Sequence, residues 1–373
     1  MKIGRREFIK GASGMVIVSS LPFITGCRGV KRDDFPMAHE SEQMAKFLGK
    51  EEIEIFSLAS LAPSGHNAQP WMVKVIEPGH WIIGTAKDRW LPAVDPENRE
   101  VLLSLGAFIQ NLEIAAGLYG YTLNLDVTAN DNHEPHILDV RITKAKPVDF
   151  PVEKILKRRT VRKNMLREQI KPADIAYITS NDREHILYFP KGTQEARYLE
   201  NGTIEANRVQ AWRNPAQEEL ANWIRWSDAE ARKYRNGLTP ESMEIGGFSG
   251  WYVRHFFTQK STLEKGFRQK TVQMVAEQVA DCGGWLIVLS KDTRIPALIE
   301  TGMRLERMLF QIRERMIAIH PMTQMLEETP SRTQMAKDLG ISDTVQFILR
   351  IGYLKTYPNP VSLRMPISWF VQT

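Results

Sequence analysis

The same local plan occurs twice along this chain, and a repeated unit limits the possible folds more than any single motif does. Trp81-Ile-Ile-Gly-Thr-Ala-Lys-Asp88 and Trp285-Leu-Ile-Val-Leu-Ser-Lys-Asp292 share a tryptophan, an apolar strand core and a Lys-Asp exit. Each is followed by a glycine-opened helical pattern. In the first copy it runs from Gly106 to Gly117, with Ile109, Leu112 and Ala116 spaced on one face; in the second it runs from Gly302 to Ile312, with Leu305, Met308, Leu309 and Ile312 on its face. Each copy then returns through a strand ending in Arg-Ile, Ile137–Ile142 and Phe347–Ile351. Strands alternating with long helices, joined by segments too long for hairpins, predict an α+β arrangement of sheet and packed helices. Two such units would pair face to face.

The length of 373 residues suits two domains or one duplicated domain. With 43% hydrophobic and 25% charged residues the chain reads as globular, which excludes a disordered, collagenous or multi-pass membrane protein. Its two cysteines, Cys27 and Cys282, offer no disulfide framework and no zinc or iron–sulfur cluster. The formal charge is +5, but Lys2, Arg5, Arg6 and Lys10 against Glu7 supply +3 of it, so the body has no footprint for nucleic acid.

Residues 1–27 have the layout of an export signal: a cationic start, an apolar run from Met15 to Ile24 and a small-residue exit. Arg5-Arg6 followed by Glu7-Phe8-Ile9-Lys10 looks like the twin-arginine signal, whose translocase carries folded proteins, often already holding a cofactor. Ile24-Thr25-Gly26-Cys27 resembles a lipobox, which would make a lipidated Cys27 the mature N-terminus and place the protein on the periplasmic or cell-envelope side. Residues 28–48 then read as a polar tether, 49–150 as the first half of the body and 151–373 as the second, with a helical segment inserted at about 195–280.

Chemistry-bearing motifs differ between the halves, which suggests one composite site. Only the first half has Ala62-Pro63-Ser64-Gly65-His66-Asn67-Ala68-Gln69-Pro70-Trp71. Pro63 to Asn67 is a turn rich in short donors, with Gly65 letting backbone approach a flat ring. Gln69 and Trp71, alternating at a strand start, would point one way together. Only the second half has the basic cluster Arg158, Arg159, Thr160 and Arg162, whose guanidinium forks and hydroxyl suit a phosphate dianion, and Arg364, which could close the same pocket. A ring cradle and a phosphate clamp together describe flavin mononucleotide.

These motifs, with the late Arg364-x-Pro366 and Asp95-Pro-x-Asn-Arg99 ahead of the Gly106 helix, resemble the nitroreductase family of FMN proteins and more closely its duplicated, Acg-type branch. The resemblance spans about residues 50–366 and is most specific from Ala62 to Trp71. It implies a nitroreductase-like α+β fold, tandem duplicated as an intramolecular pseudo-dimer that could act as a monomer. It further implies that Arg158, Arg159, Thr160, Arg162 and Arg364 hold the FMN phosphate while Pro63, Ser64, Gly65, Asn67 and Gln69 contact the ring or ribityl chain. The flavin N5 would carry hydride to a small electron-poor aromatic or quinone-like acceptor, so no side chain is expected to be an indispensable catalytic acid or base. The electron donor is not named by the sequence: no Gly-x-Gly-x-x-Gly fingerprint is present, and soluble NAD(P)H is not expected outside the cytoplasmic membrane.

Two other readings stand beside the oxidoreductase: a flavin-holding protein with little turnover, and a structural protein without flavin. Residues 195–260, with Trp212, Trp223, Trp226 and Gly246-Gly-Phe-Ser-Gly-Trp-Tyr252, match no motif and fall where a cover over the flavin would lie. His133 and His136 lack a third ligand nearby and read as a surface loop, so no metal is expected.

Overall fold

A computed structural model describes residues 29–35, 44–45, 47–180, 182–328 and 331–372, so the export signal and Cys27 lie outside the described residues. The architecture is mixed α+β with two sheets. One contains β1 (Trp71–Glu77), β2 (His80–Thr85), β3 (Tyr121–Val127) and β4 (His136–Lys144), hydrogen-bonded in the order β3-β4-β2-β1. The other contains β5 (Ile186–Pro190), β6 (Gly284–Ser290), β7 (Ile317–Pro321) and β8 (Thr344–Tyr353), in the order β7-β8-β6-β5. Third strand, fourth, second, first: both sheets follow one antiparallel order. A last strand, β9 (Val371–Gln372), crosses back to pair in parallel with β1 at Val73 and Lys74.

Helix α1 (Lys50–Ala59) precedes β1, and α2 (Arg99–Leu118) joins β2 to β3. Between β5 and β6, where the first sheet has only the turn at Pro78-Gly79, the chain inserts α3 (Gln194–Trp212), α4 (Asn214–Trp223), α5 (Gly247–Phe256) and α6 (Lys265–Ala280). Helix α7 (Ile295–Ile312) then joins β6 to β7, as α2 joins β2 to β3. The Asp95 carboxylate caps α2 by accepting from Glu100 N at 2.7 Å and Val101 N at 3.1 Å.

The apolar stripes read from sequence face the sheets. Ile109, Leu112 and Ala116 pack with Trp71, Trp81 and Phe108 in the first core, and Leu305, Met308, Leu309 and Ile312 pack on the second sheet. The opening turns of α7, through Ile295, Leu298, Ile299 and Met303, belong to the first core, so this helix bonds the two halves by apolar burial. Helix α2 is apolar and long enough to cross a membrane by composition, but here it is a core helix, 83% buried over its most apolar window.

Two sequence expectations are corrected. Gly106 and Gly302 do not open their helices; they lie well inside α2 and α7, where the helices touch. The Arg-Ile match between the return strands is one residue out of register: Trp81 pairs with Val140 across the ladder, whereas Trp285 pairs with Arg350. Arg141 therefore corresponds to Ile351. Because side chains alternate faces along a strand, Arg141 is exposed while Arg350 is 1% exposed.

Candidate functional site

Three distant pieces of chain meet at the turn after α1. The carbonyls of Leu61 and Ala62 accept from Arg364 Nη2 at 3.0 and 3.1 Å, and Leu61 O also accepts from Arg158 Nη2 at 2.9 Å. Asn67 Oδ1 accepts from Arg364 Nη1 at 2.9 Å, while its amide nitrogen donates to Gly237 O and Leu363 O, both at 3.1 Å. Gln69 is fully buried; its Oε1 accepts from Met365 N at 2.9 Å and its Nε2 donates to Arg235 O at 3.1 Å. The first-half turn, the insertion at Arg235–Gly237 and the C-terminal Leu363–Met365 are thus one hydrogen-bonded unit. Pro63, Ser64 and Gly65 are half-buried beside it, and Ser64 Oγ accepts from Gln69 N at 2.9 Å.

This turn differs from its sequence reading in two respects. Its left-handed backbone falls on His66, Asn67 and Gln69, with φ of 50°, 55° and 55°, and not on Gly65. Non-glycine residues there cost of order 1 kcal/mol each, a strain that clusters at functional sites. A Cβ at Gly65 would stand 3.1 Å from Leu91 Cδ1, so its open side is filled by a neighbour. Gln69 and Trp71 also part company: β1 starts at Trp71, whose ring stacks on Phe108 at 5.1 Å, while Gln69 bonds the C-terminal segment. The left-handed Gln69 breaks the alternation on which a shared face depends.

The basic cluster divides. Arg158 lies 3.3 Å from the fully buried Glu306 of α7, whose carboxyl is pushed up to about 7 by burial, against the pull of Arg158 and Arg364. Arg32, Arg235 and Arg364 line a cavity of about 210 Å³ with Ser57 and Ser60. Arg32 donates to Leu156 O at 2.8 Å, and Arg364 Nε is buried without a partner. Burial and the charges of Arg158 and Arg32 together hold Arg364 well below the ordinary arginine range.

Arg159 and Arg162 turn instead to the insertion. Arg159 Nη2 donates to Glu244 Oε1 at 2.9 Å, Arg162 N donates to Glu244 Oε2 at 3.1 Å, and Arg162 Nη1 donates to Ser242 O at 2.7 Å. Thr160 lies half-buried between them in the chain. Glu244 is itself left-handed, with φ of 60°. Behind this group Arg350 donates its Nε to His320 Nδ1 at 3.1 Å and a further N–H to Arg162 O. Burial lowers Arg350 to about 10 and holds His320 well below 6.5, with Arg350 and Arg162 adding to the effect on the ring. His66 is lowered to about 4 by burial and by Arg162. The neighbourhood is therefore rich in fixed positive charge and neutral imidazoles, with one carboxylate drawn into it.

Sequence reading missed Glu244, Glu306, His320, Arg350 and Arg32. Arg350 carried a signal, a lone arginine inside the apolar run Phe347–Tyr353; Glu244 sits in a segment without a recognisable pattern. His133, at the surface, bonds Asp131 and Pro96 O, and among the described residues no group of three His, Cys, Asp or Glu side chains is placed to hold a metal.

No family model matches the chain. A Mycobacterium tuberculosis protein named NAD(P)H nitroreductase acg is 36% identical over 330 residues, covering 83% of this chain and 92% of its own. A Serratia protein named NAD(P)H nitroreductase PigM is 24% identical over 324 residues, 79% of this chain and 86% of its own. Among solved structures, a nitroreductase from Anabaena variabilis covers 93% of this chain and 96% of its own at 11% identity and a TM-score of 0.39. The FMN- and NADPH-dependent nitroreductase NfnB of a Sphingopyxis strain covers 59% and 97% at 15% identity and a TM-score of 0.35; neither superposition bears on the site. The likeness to the mycobacterial protein, extending over more than four fifths of both sequences, makes this chain a member of the nitroreductase family.

Proposed function

We propose that the protein is an FMN-dependent oxidoreductase of nitroreductase type, built as a tandem pseudo-dimer and exported to the cell envelope with a lipid on Cys27. The observation that carries the cofactor reading is the Glu244 carboxylate seated between the Arg159 guanidinium and the Arg162 backbone N–H. Donors that hold a carboxylate in a positive, mostly buried setting also suit a phosphate, which brings more oxygens and more charge. Arg159 and Arg162, backed by Arg350, with Thr160 beside them, would hold that phosphate. Arg158 and Arg364 act as struts that fasten the second half to the first-half turn through Leu61, Ala62 and Asn67. Pro63, Ser64 and His66, all half-buried, would form the edge facing a ring, with Gly65 closed off by Leu91 and His66 neutral at pH 7 and so adding no charge. Asn67 and Gln69 act through the segments they hold.

Bound FMN would supply two-electron hydride chemistry at N5, and the acceptor would be a small, planar, electron-poor aromatic or quinone-like molecule. The named relatives are NAD(P)H nitroreductases; at the cell envelope another donor would have to serve. The pseudo-dimer reading is supported by the common strand order and by the matched placement of α2 and α7. A second reading, a flavin-holding protein with little turnover, is favoured by the insertion lying on the turn, where Gly237 N donates to Asn67 O at 3.0 Å.

The test is the absorption spectrum of the purified chain, followed by anaerobic dithionite reduction and addition of a nitroaromatic. A yellow protein that bleaches and is reoxidised supports the oxidoreductase; one that stays reduced supports flavin holding. Failure to bind added FMN removes both.

A further inference from the structure

Residues 29–35 are packed into the body of the protein. Buried Val30 sits with Ala231 and Leu363, and Arg32 N donates to Val361 O at 3.2 Å. The segment contributes Arg32, Asp33 and Phe35 to the wall of the cavity of about 210 Å³ that Arg235 and Arg364 also line. Among the described residues, the positive charge there is poorly matched. Arg364 is 8% exposed, and four of its five N–H groups are engaged by neutral oxygens: Nη1 donates to Asn67 Oδ1 and Leu363 O, and Nη2 to Leu61 O and Ala62 O. The fifth, on Nε, is buried without an acceptor. Arg32 donates to Leu156 O and lies 3.9 Å from Asp33, whose side chain is 72% exposed. Glu306, which pulls on Arg364 from a distance, has its carboxyl pushed up to about 7 by burial and so carries only part of a charge at neutral pH. Buried charge is costly unless it meets its opposite, and an unused buried N–H adds to that cost. An anion in the cavity would relieve both.

The rest of the wall indicates which anion. Phe35, Leu61, Leu156, Met365 and Ile367 are apolar. Ser57 and Ser60 line the cavity too, but their hydroxyl hydrogens are already donated to Ile53 O and Ser57 O, both at 2.7 Å. A phosphate dianion is best held by many donors at once. A few N–H groups set in an apolar wall suit a carboxylate with a small apolar body. The volume falls below the about 300–1,000 Å³ of pockets that take drug-sized ligands, which limits that body to a single ring or a short branched chain.

We propose that this cavity binds a small monocarboxylate, an aromatic or branched aliphatic acid, with Arg32 and the Arg364 Nε–H holding the carboxylate and Phe35, Leu156 and Ile367 covering its carbon body. The site is separate from the Arg159 and Arg162 group given above to the flavin phosphate, and it stands whether or not flavin binds. Its test titrates the full chain, stripped of any flavin, with benzoate and with the neutral isostere benzamide in a calorimeter. Benzoate is expected to bind at least about tenfold more tightly than benzamide, and more tightly than acetate or inorganic phosphate. Arg32→Gln, which keeps a donor for Leu156 O, should weaken benzoate about tenfold. Asp33→Asn removes an exposed negative charge beside the Arg32 guanidinium and should tighten it about two- to fourfold. No benzoate binding, equal binding of benzoate and benzamide, or a preference for phosphate overturns the proposal. If Arg32→Gln misfolds, Asp33→Asn decides, and unchanged or weaker benzoate binding there overturns it as well. Saturating FMN supplies the last arm: benzoate affinity that holds within about twofold supports a separate site, whereas displacement of benzoate gives the cavity to the flavin and overturns the proposal. A chain that binds benzoate but no FMN keeps this site and removes the flavin reading.

Discussion

Gly106 and Gly302 face each other where α2 crosses α7, and the contact is reciprocal. A Cβ on Gly106 would meet the carbonyl oxygen of Ile299 and stand 2.9 Å from Gly302 Cα; a Cβ on Gly302 would meet the carbonyl oxygen of Leu103 and stand 2.9 Å from Gly106 Cα. Each glycine approaches the carbonyl three residues before the other, the pattern a two-fold axis produces. Backbone against backbone leaves no flexible group to give way. Gly302→Ala should therefore lower stability by at least about 2 kcal/mol. Gly246→Ala, with nothing within 4 Å, is the near-neutral comparison in urea unfolding.

Glu244 and an incoming phosphate would compete for the same donors. Glu244→Gln is expected to tighten FMN binding about tenfold, since one charge-assisted bond is worth somewhat more than the 1.4 kcal/mol that a factor of ten represents. Titration of the flavin-free protein by fluorescence quenching measures this. An unchanged or weaker affinity would mean that the carboxylate does not oppose the phosphate.

Arg159→Ala and Asn67→Ala lie in different halves, yet both should lower FMN affinity, by about tenfold or more. Asn67→Ala should also reduce stability, because it removes three buried hydrogen bonds, one from Arg364 Nη1 and two to the carbonyls of Gly237 and Leu363. Flavin content after gel filtration decides the matter. If neither variant loses flavin, the composite pocket is wrong.

Acid should loosen the region around His66 and His320. Both rings have folded pKa values below 6.5, so between pH 6.5 and about 4 the unfolded chain binds more protons and stability falls as pH falls. Protonating His320 Nδ1 would also remove the acceptor for Arg350 Nε. Each ring contributes at most about 1.4 kcal/mol per pH unit. Urea unfolding at pH 7 and pH 5 should show a smaller loss for the His66→Asn, His320→Gln double variant than for the parent chain.

Cys27→Ala should release the protein from the membrane fraction of a bacterial host. Persistent membrane association of that variant would instead indicate an uncleaved signal that anchors the chain.

The α+β class and the helix faces were legible in the sequence because they rest on local periodicity. Ile109 and Leu112, or Leu305 and Met308, must face a sheet whatever surrounds them, since an apolar stripe has to be buried. Family membership was legible in the turn from Ala62 to Trp71, where residue identity itself carries the information. What sequence could not decide was partnership across long separations. Whether Arg158 meets a ligand or Leu61 O, whether Asn67 meets a ring or Arg364, and that Glu244 reaches Arg159 all depend on how the insertion and the C-terminus fold back. Nor could spacing alone place Arg350 in the interior and Arg141 in water, because a one-residue register difference between two similar strands exchanges their faces. Local chemistry determined the elements; tertiary packing determined which charges meet.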